Sequence, residues 1–246
     1  MNKLGLLGKN ISYSFSRTYF KKKFNNENIM DTTYENFDID NIDLFTSIVK
    51  NTKDLKGLNV TIPYKEAVMP FLDKINKKAK EIGAVNTIKI TKKGNLVGYN
   101  TDCYGFKKSL KPFLKPHHKK ALILGTGGAS KAIAYSLKEL GISYHYVSRK
   151  LSNNVTFSYD TLTENDINNH QIIINCTPLG TFPNVNDSPN IPYEAINENH
   201  ILFDLIYNPD ETLFLKQGKK NKAITINGLN MLKFQAEKAW SIWNLH

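Results

Sequence analysis

The residues Ala121-Leu122-Ile123-Leu124 run without interruption into Gly125-Thr126-Gly127-Gly128-Ala129-Ser130. A continuous apolar run is what a strand covered on both faces requires, and such strands sit in parallel sheets flanked by helices. Beyond the glycines, Ala129, Ala132, Ile133, Leu137 and Leu140 share one face of a helix. Gly141 closes that helix, and Ile142 to Val147 reads as the next strand. Strand, glycine turn, helix and strand in this order make a glycine motif evidence for dinucleotide binding. The glycines permit a tight turn and let the backbone approach a pyrophosphate. The helix start supplies N–H donors and the positive end of a dipole. Ser130 stands where a third glycine is usual. A plain tight turn between strand and helix is the alternative reading.

The end of the second strand bears on which dinucleotide. An NAD site usually carries Asp or Glu there for the ribose 2′-OH. Here stand Ser148, Arg149 and Lys150, with no carboxylate. A guanidinium suits a 2′-phosphate and a carboxylate would repel it, so the cofactor expected is NADP. Ile172 to Asn175 is a further buried strand running into Cys176-Thr177-Pro178. Ile201 to Ile206 is another, ending at Tyr207, and Ala223 to Ile226 is the last. In a doubly wound sheet their carboxyl ends line one crevice with the glycine turn. Asn227-Gly228 reads as a turn. The final helix carries Leu232, Ala236, Ala239, Trp240 and Trp243 on one face. Gln235 lies beside that stripe, either as a binding amide or facing water.

The front half alternates strands and helices as well, which points to a second α/β region. Residues 3–8 read as a strand, followed by the hydroxyl-rich Asn10 to Ser16. If that loop is extended, Ser14 and Ser16 point to one side and could grip a carboxylate or a diol. Ser16 also fits a helix cap ahead of a run to Phe24. A weak strand at Thr32 to Phe37 and a short helix at Ile42 to Val49 precede a strand at Leu58 to Ile62. Pro63 suits a first helical turn. Thr61 and Lys65 then place a hydroxyl and an ammonium at a strand end, where α/β proteins usually keep their chemistry. With 33 Lys and Arg in the chain, a surface lysine is the competing reading. Helical patterning recurs at Glu66 to Leu72 and Asn76 to Ile82. Val85 to Thr91 and Asn95 to Thr101 read as two strands across Lys93-Gly94-Asn95, with Asn86 and Asn100 beside them. Asp102 follows at once, and a helix opening at Tyr104 stops near Pro112. Lys111 to Lys120 reads as a linker-like break, with His117 and His118 exposed to solvent and no metal site expected.

The 246 residues give room for one large domain or two modest ones, and 41% hydrophobic content is enough for a core. No apolar run reaches the length of a membrane span, and the first residues lack a signal peptide's pattern, so a cytoplasmic location is expected. Cys103 and Cys176 stand far apart and read as reduced thiols. The formal net charge of +11 could attract nucleic acid or an anionic membrane face. The lysines are scattered and form no basic helix, so neither partner is expected.

Several of these stretches, taken in order, resemble the shikimate dehydrogenase family over essentially the whole chain. They are Ser14-Phe15-Ser16, Asn59 to Lys65, Ile82 to Thr87, Gly98 to Asp102, Gly125 to Ser130, Asn175 to Gly180, Asp204 to Tyr207, and Asn227-Gly228-Leu229 with Gln235-Ala236. The resemblance implies an N-terminal α/β substrate-binding domain, residues 1–101, joined by the last helix, 228–246. It implies a Rossmann-like parallel-sheet domain for NADP at 102–227. The implied reaction interconverts 3-dehydroshikimate and shikimate with NADP, on the way to chorismate and the aromatic amino acids. By the same resemblance Ser14 and Ser16, helped by Tyr207, hold the substrate carboxylate. Thr61, Asn86, Asp102 and Gln235 take its hydroxyls, with Asn59 and Thr101 counted as substrate-binding beside them. Lys65 and Asp102 form the catalytic pair. Gly125, Thr126, Gly127, Gly128, Ala129 and Ser130, with Ser148, Arg149, Lys150 and Thr177, hold the dinucleotide, and Leu205 and Gly228 flank the nicotinamide. The partner implied is a small-molecule substrate, the assembly a monomer or homodimer. Asn10 and Arg17 replace prolines common in the family, and Ser148 and Lys150 replace its usual Asn and Thr.

Overall fold

A computed structural model describes residues 1–12, 14–151 and 155–244, and in it the chain builds two six-stranded sheets. Its contacts fall into two units: Met1–Thr101 with the chain from Ala236 onward, and Asp102–Gln235. No helix among the described residues is long and apolar enough to cross a membrane.

The first unit contains β1 (Asn2–Gly8), α1 (Phe15–Asn26), β2 (Thr32–Asp38), α2 (Phe45–Asn51), β3 (Leu55–Val60), α3 (Tyr64–Ala67), β4 (Lys74–Ile75), α4 (Lys77–Ile82), β5 (Thr87–Ile90) and β6 (Leu96–Tyr99). The strand order is β2-β1-β3-β5-β6-β4. β1 pairs in parallel with β2 and β3, while β5 runs antiparallel to β3 and β6. Side chains alternate across β1: Leu4 and Leu6 join one apolar cluster and Leu7 another. In the first cluster Phe20 and Phe24 of α1 meet Tyr34 of β2 and Trp240 and Trp243 from the end of the chain. The Trp243 indole N–H donates to the Ile88 carbonyl at 2.9 Å, fixing that helix end over the sheet.

The second unit contains α5 (Asp102–Leu110), β7 (Lys120–Leu124), α6 (Gly128–Glu139), β8 (Ser143–Ser148), β9 (Phe157–Ser158), α7 (Glu164–Asn168), β10 (Ile172–Asn175), β11 (Ile201–Asp204), α8 (Leu213–Lys220) and β12 (Ile224–Ile226). Every strand pair is parallel, in the order β12-β11-β10-β7-β8-β9. The chain therefore starts in the middle at β7, winds one way to β9, and returns to β10 to wind the other way. That is the doubly wound order, with its reversal between β7 and β10. Ala121 and Ile123 pack under α5 and α6, Leu122 and Leu124 against α7 and α8, so β7 is buried on both faces as its unbroken apolar run requires. The final helix, α9 (Leu229–Asn244), contributes Met231 to the second unit's core and Ala236 to the first.

Several expectations need correction. β3 stops at Val60, because the Thr61 carbonyl accepts from Tyr64 N–H at 2.9 Å and turns the chain. β11 stops at Asp204, whose side chain accepts from Ile206 N–H at 3.0 Å and bends the backbone there. Ser14, not Ser16, caps α1; its Oγ accepts from Ser16 N–H at 3.2 Å, so Ser16 lies in the first helical turn and the loop is not extended through it. His118 is 3% exposed rather than solvated: Lys115 N–H donates to its Nδ1 at 2.8 Å and its Nε2 faces the Asn199 carbonyl at 3.1 Å. The proline-rich break around it lies inside the second unit. Sequence periodicity passed over β4, β9, α7 and α8. Two-residue strands carry no period, whereas α7 has a capping box of Thr163 and Asp166.

Candidate functional site

In the first unit the residues named above converge on Asn86. Val60 N–H donates to its carbonyl at 2.8 Å, and Val85 N–H donates to the Lys65 carbonyl at 2.8 Å, which seats α3 beside it. The Asn86 Oδ1 accepts from Thr101 N–H at 2.7 Å and from the Thr87 hydroxyl at 3.1 Å. Its Nδ2 donates to the Thr101 hydroxyl at 3.1 Å. The Asn59 amide donates to Thr87 Oγ1 at 3.1 Å and to the Asn86 carbonyl at 3.3 Å. Tyr34 completes the chain, its hydroxyl donating to Asn59 Oδ1 at 2.8 Å. Asn59, Asn86, Thr87 and Thr101 are all nearly inaccessible, 4%, 3%, 0% and 0% exposed. Buried polar groups that satisfy one another in this way hold a rigid surface where β3 ends and β5 begins. Thr61 is tied to β1 by its N–H, 2.9 Å from the Leu7 carbonyl, and Lys65 is half-buried on α3. Burial raises the Tyr34 pKa strongly; a hydrogen bond from Ser16 opposes it, so the network reaches back to α1. Tyr34 and Thr87 were missed in the sequence. Tyr34 is the one fully buried position of β2, but a weak alternation does not distinguish it.

In the second unit the glycine turn lies at the reversal point. Gly125 has φ +97, a conformation a side chain resists, and a Cβ there would lie 3.0 Å from Thr177 Cγ2. The loops after β7 and β10 thus meet across the switch point, where ligands of such sheets bind. Gly127 caps α6 with no side-chain hydrogen bond, and a Cβ on it would meet nothing within 4 Å. Open space above uncapped N–H groups fits a pyrophosphate. Ser130, standing for the third glycine, is 1% exposed and turns inward, its hydroxyl donating to the Gly127 carbonyl at 2.7 Å. Ser148 ends β8, and Arg149 and Lys150 follow it exposed. A Cβ on Gly228 would collide with the Leu205 carbonyl, so these two sit in contact where β11 and β12 end. Tyr207 is half-buried beyond β11. Asp102, at the head of α5, is 7% exposed, and Gln235 is 8% exposed with its amide donating to the Leu232 carbonyl at 3.0 Å, so it does not face water. The turn and the open helix start suit a dinucleotide pyrophosphate, and the absence of a carboxylate after β8 suits one carrying a 2′-phosphate.

Sequence reasoning gave no role to Asn175 or Asp204, though both stand in the matching segments. Asp204 is fully buried, and that burial raises its pKa to about 6 against hydrogen bonds from Thr212, Ile206 and Asn175.

Comparison with known proteins adds the family. Residues 6–88 match the model described as the shikimate dehydrogenase substrate binding domain. The shikimate dehydrogenase (NADP(+)) of Methanococcus vannielii is 40% identical over 98% of this chain and 90% of its own length. The chain belongs to the shikimate dehydrogenase family. Among solved relatives, shikimate 5-dehydrogenase from Thermus thermophilus, in complex with NADP(H) and shikimate, superposes with a TM-score of 0.87 at 28% identity, covering 99% of this chain and 94% of that one. Quinate dehydrogenase from Corynebacterium glutamicum, in complex with NAD, superposes with 0.86 at 25% identity, covering 99% and 93%. Members of one fold thus differ in substrate and nicotinamide, so the fold does not choose between them.

Proposed function

We propose that the chain catalyses the reversible NADPH-dependent reduction of 3-dehydroshikimate to shikimate, in the cytoplasm, as a step toward chorismate and the aromatic amino acids. The observation that carries this is full-length likeness to an NADP-dependent shikimate dehydrogenase at 40% identity. The retained Lys65 and Asp102 support it. The first unit takes the substrate and the second the dinucleotide.

Bound NADPH supplies the hydride. The chain's own residues supply the rest. Lys65 gives a proton to the carbonyl oxygen on reduction and removes it from the hydroxyl in reverse, and Asp102 orients that ammonium and the reacting group. Acid–base help of this kind is worth about 10²–10⁴-fold in rate. Ser14 and Ser16 hold the carboxylate with Tyr207, while Thr61, Asn86 and Gln235 read the ring hydroxyls. Asn59 and Thr101 act through Asn86: the Asn59 amide donates to the Asn86 backbone carbonyl, and the Thr101 N–H and hydroxyl hold the Asn86 side-chain amide. The Gly125 turn and the α6 start hold the pyrophosphate, Arg149 with Ser148 and Lys150 the 2′-phosphate, and Leu205 and Gly228 border the nicotinamide.

The test is NADPH oxidation by the purified protein with 3-dehydroshikimate, with NADH and then 3-dehydroquinate in parallel. Turnover with NADPH and 3-dehydroshikimate at least tenfold above the other pairings is expected. No turnover with any pairing would refute the assignment, and preference for 3-dehydroquinate would move it to the quinate branch.

A further inference from the structure

The ends of β10 and β11 carry a buried relay with no role in the reading above. Asn175 Nδ2 donates to Asp204 Oδ1 at 3.1 Å, and Asp204 also accepts from Thr212 Oγ1 at 2.6 Å and Ile206 N–H at 3.0 Å. At its other end Asn175 Oδ1 accepts from Thr177 N–H at 3.0 Å and from the Thr177 hydroxyl at 2.6 Å. Asn175 and Asp204 are both 0% exposed.

The chemistry makes this arrangement directional. The two ends of an asparagine amide are alike in shape and opposite in hydrogen bonding. Thr177 presents two donors, so it needs the oxygen. An ionised carboxylate only accepts, so Asp204 needs the nitrogen. A flipped amide would set oxygen against oxygen at Asp204 and donors against donors at Thr177. The consequence reaches the crevice. Cys176 N–H still pairs with the Leu124 carbonyl at 2.9 Å, and at the next residue Asn175 folds the chain back so that Thr177 lies over Gly125. The far end of the same loop rests on Asp204's partner, since a Cβ on Gly180 would lie 3.4 Å from Thr212 Cβ.

We propose that Asp204 is a positioning residue for the dinucleotide: through Asn175 it fixes the Thr177 loop as the wall opposite the glycine turn. This rests on the nucleotide site assigned to the second unit. It adds that a buried carboxylate, touching neither substrate nor cofactor, sets cofactor affinity.

The test measures NADPH dissociation constants and the shikimate KM at saturating NADP for Asp204→Ala and Asp204→Asn, with melting curves to confirm folding. Folded Asp204→Ala should bind NADPH about tenfold or more weakly while the shikimate KM stays within about twofold, and Asp204→Asn, which keeps an acceptor for Asn175, should recover most of the affinity. An unchanged NADPH constant in folded Asp204→Ala overturns the proposal. If the parent protein itself fails to bind NADPH, it is the nucleotide reading that falls. Should Asp204→Ala not fold, Asn175→Asp carries the test. It keeps the acceptor for Thr177 and loses the donor to Asp204 until a shared proton restores one. The other titratable groups facing Asp204 are Cys176 and Tyr193, both held protonated by burial. Its affinity relative to the parent at each pH should be lowered at pH 8 and recover toward pH 5. A ratio independent of pH overturns the relay.

Discussion

Lys65 sits where two backbone anchors meet: its own carbonyl takes Val85 N–H, and Val60 N–H reaches the neighbouring Asn86 carbonyl. An ammonium that is needed only to move a proton should matter to turnover far more than to binding. Lys65→Ala is therefore expected to lower kcat by about 10²–10⁴-fold with little change in the shikimate KM. Near-normal turnover in that variant would remove Lys65 from the chemistry. Arg149 is the residue on which nicotinamide choice should turn. A charge-assisted hydrogen bond to a phosphate is worth roughly 1.5–3 kcal/mol, or about 10–100-fold in affinity. Arg149→Ala should raise the NADPH KM by that order and leave the NADH KM unchanged. An equal effect on both would place the guanidinium away from the 2′-phosphate.

Among the elements, α9 joins sequence-distant parts of the fold. Its second half supplies Ala236, Trp240 and Trp243 to the cluster around Phe20, Phe24 and Tyr34. Glu237 on the same stretch receives the Tyr19 hydroxyl and pairs with Lys23 at 2.9 Å, tying it to α1. The first unit thus closes its apolar face with residues more than two hundred positions from β1. Trp243→Ala removes an indole that packs at a tilt against Phe20 and donates to the Ile88 carbonyl. A loss of about 3 kcal/mol is expected, read as a lower urea midpoint. An unchanged midpoint would show that the helix end contributes nothing to the first unit.

Over the whole molecule, buried titratable groups set the response to pH. His118 is locked neutral, because Nδ1 accepts from Lys115 N–H and Nε2 must then donate to Asn199. His170 is locked likewise: Nδ1 donates to the Asp166 carbonyl at 2.6 Å, leaving Nε2 to accept from His145. Burial lowers both pKa values. The unfolded chain then takes up protons near the ordinary value of about 6.5 that the folded protein refuses, so stability falls as pH drops below that point. His118→Asn, which keeps an acceptor for Lys115, should flatten this loss between pH 7 and 5. Asp204 acts with the opposite sign. Its pKa is raised to about 6, so the folded form keeps a proton that the unfolded chain releases near pH 4. Stability from this group is therefore lost as pH rises from about 4 to 6, a cost on the order of 3 kcal/mol above that window. Asp204→Asn should raise the melting temperature more at pH 8 than at pH 4.5. Equal shifts at both would mean that the carboxyl is not neutral at the lower pH.

What the chain's letters determined was local and periodic. The unbroken apolar run at Ala121 to Leu124, the glycines after it and the helical stripe to Leu137 specify a βαβ start on their own, because backbone sterics and face-by-face burial act over a few residues. The same is true of the helical run ending at Ile82 and of the Lys93-Gly94 turn. What tertiary structure decided was which polar side chains are buried together. His118 sits in a polar, proline-rich stretch and reads as solvated, yet a carbonyl more than eighty residues on closes over it. Tyr34 carries no local mark of importance, and Asn175 and Asp204 stand in matching segments with nothing local to show what they do. Their roles emerge only when strands far apart in the chain become neighbours, since the direction of a hydrogen bond depends on its partner.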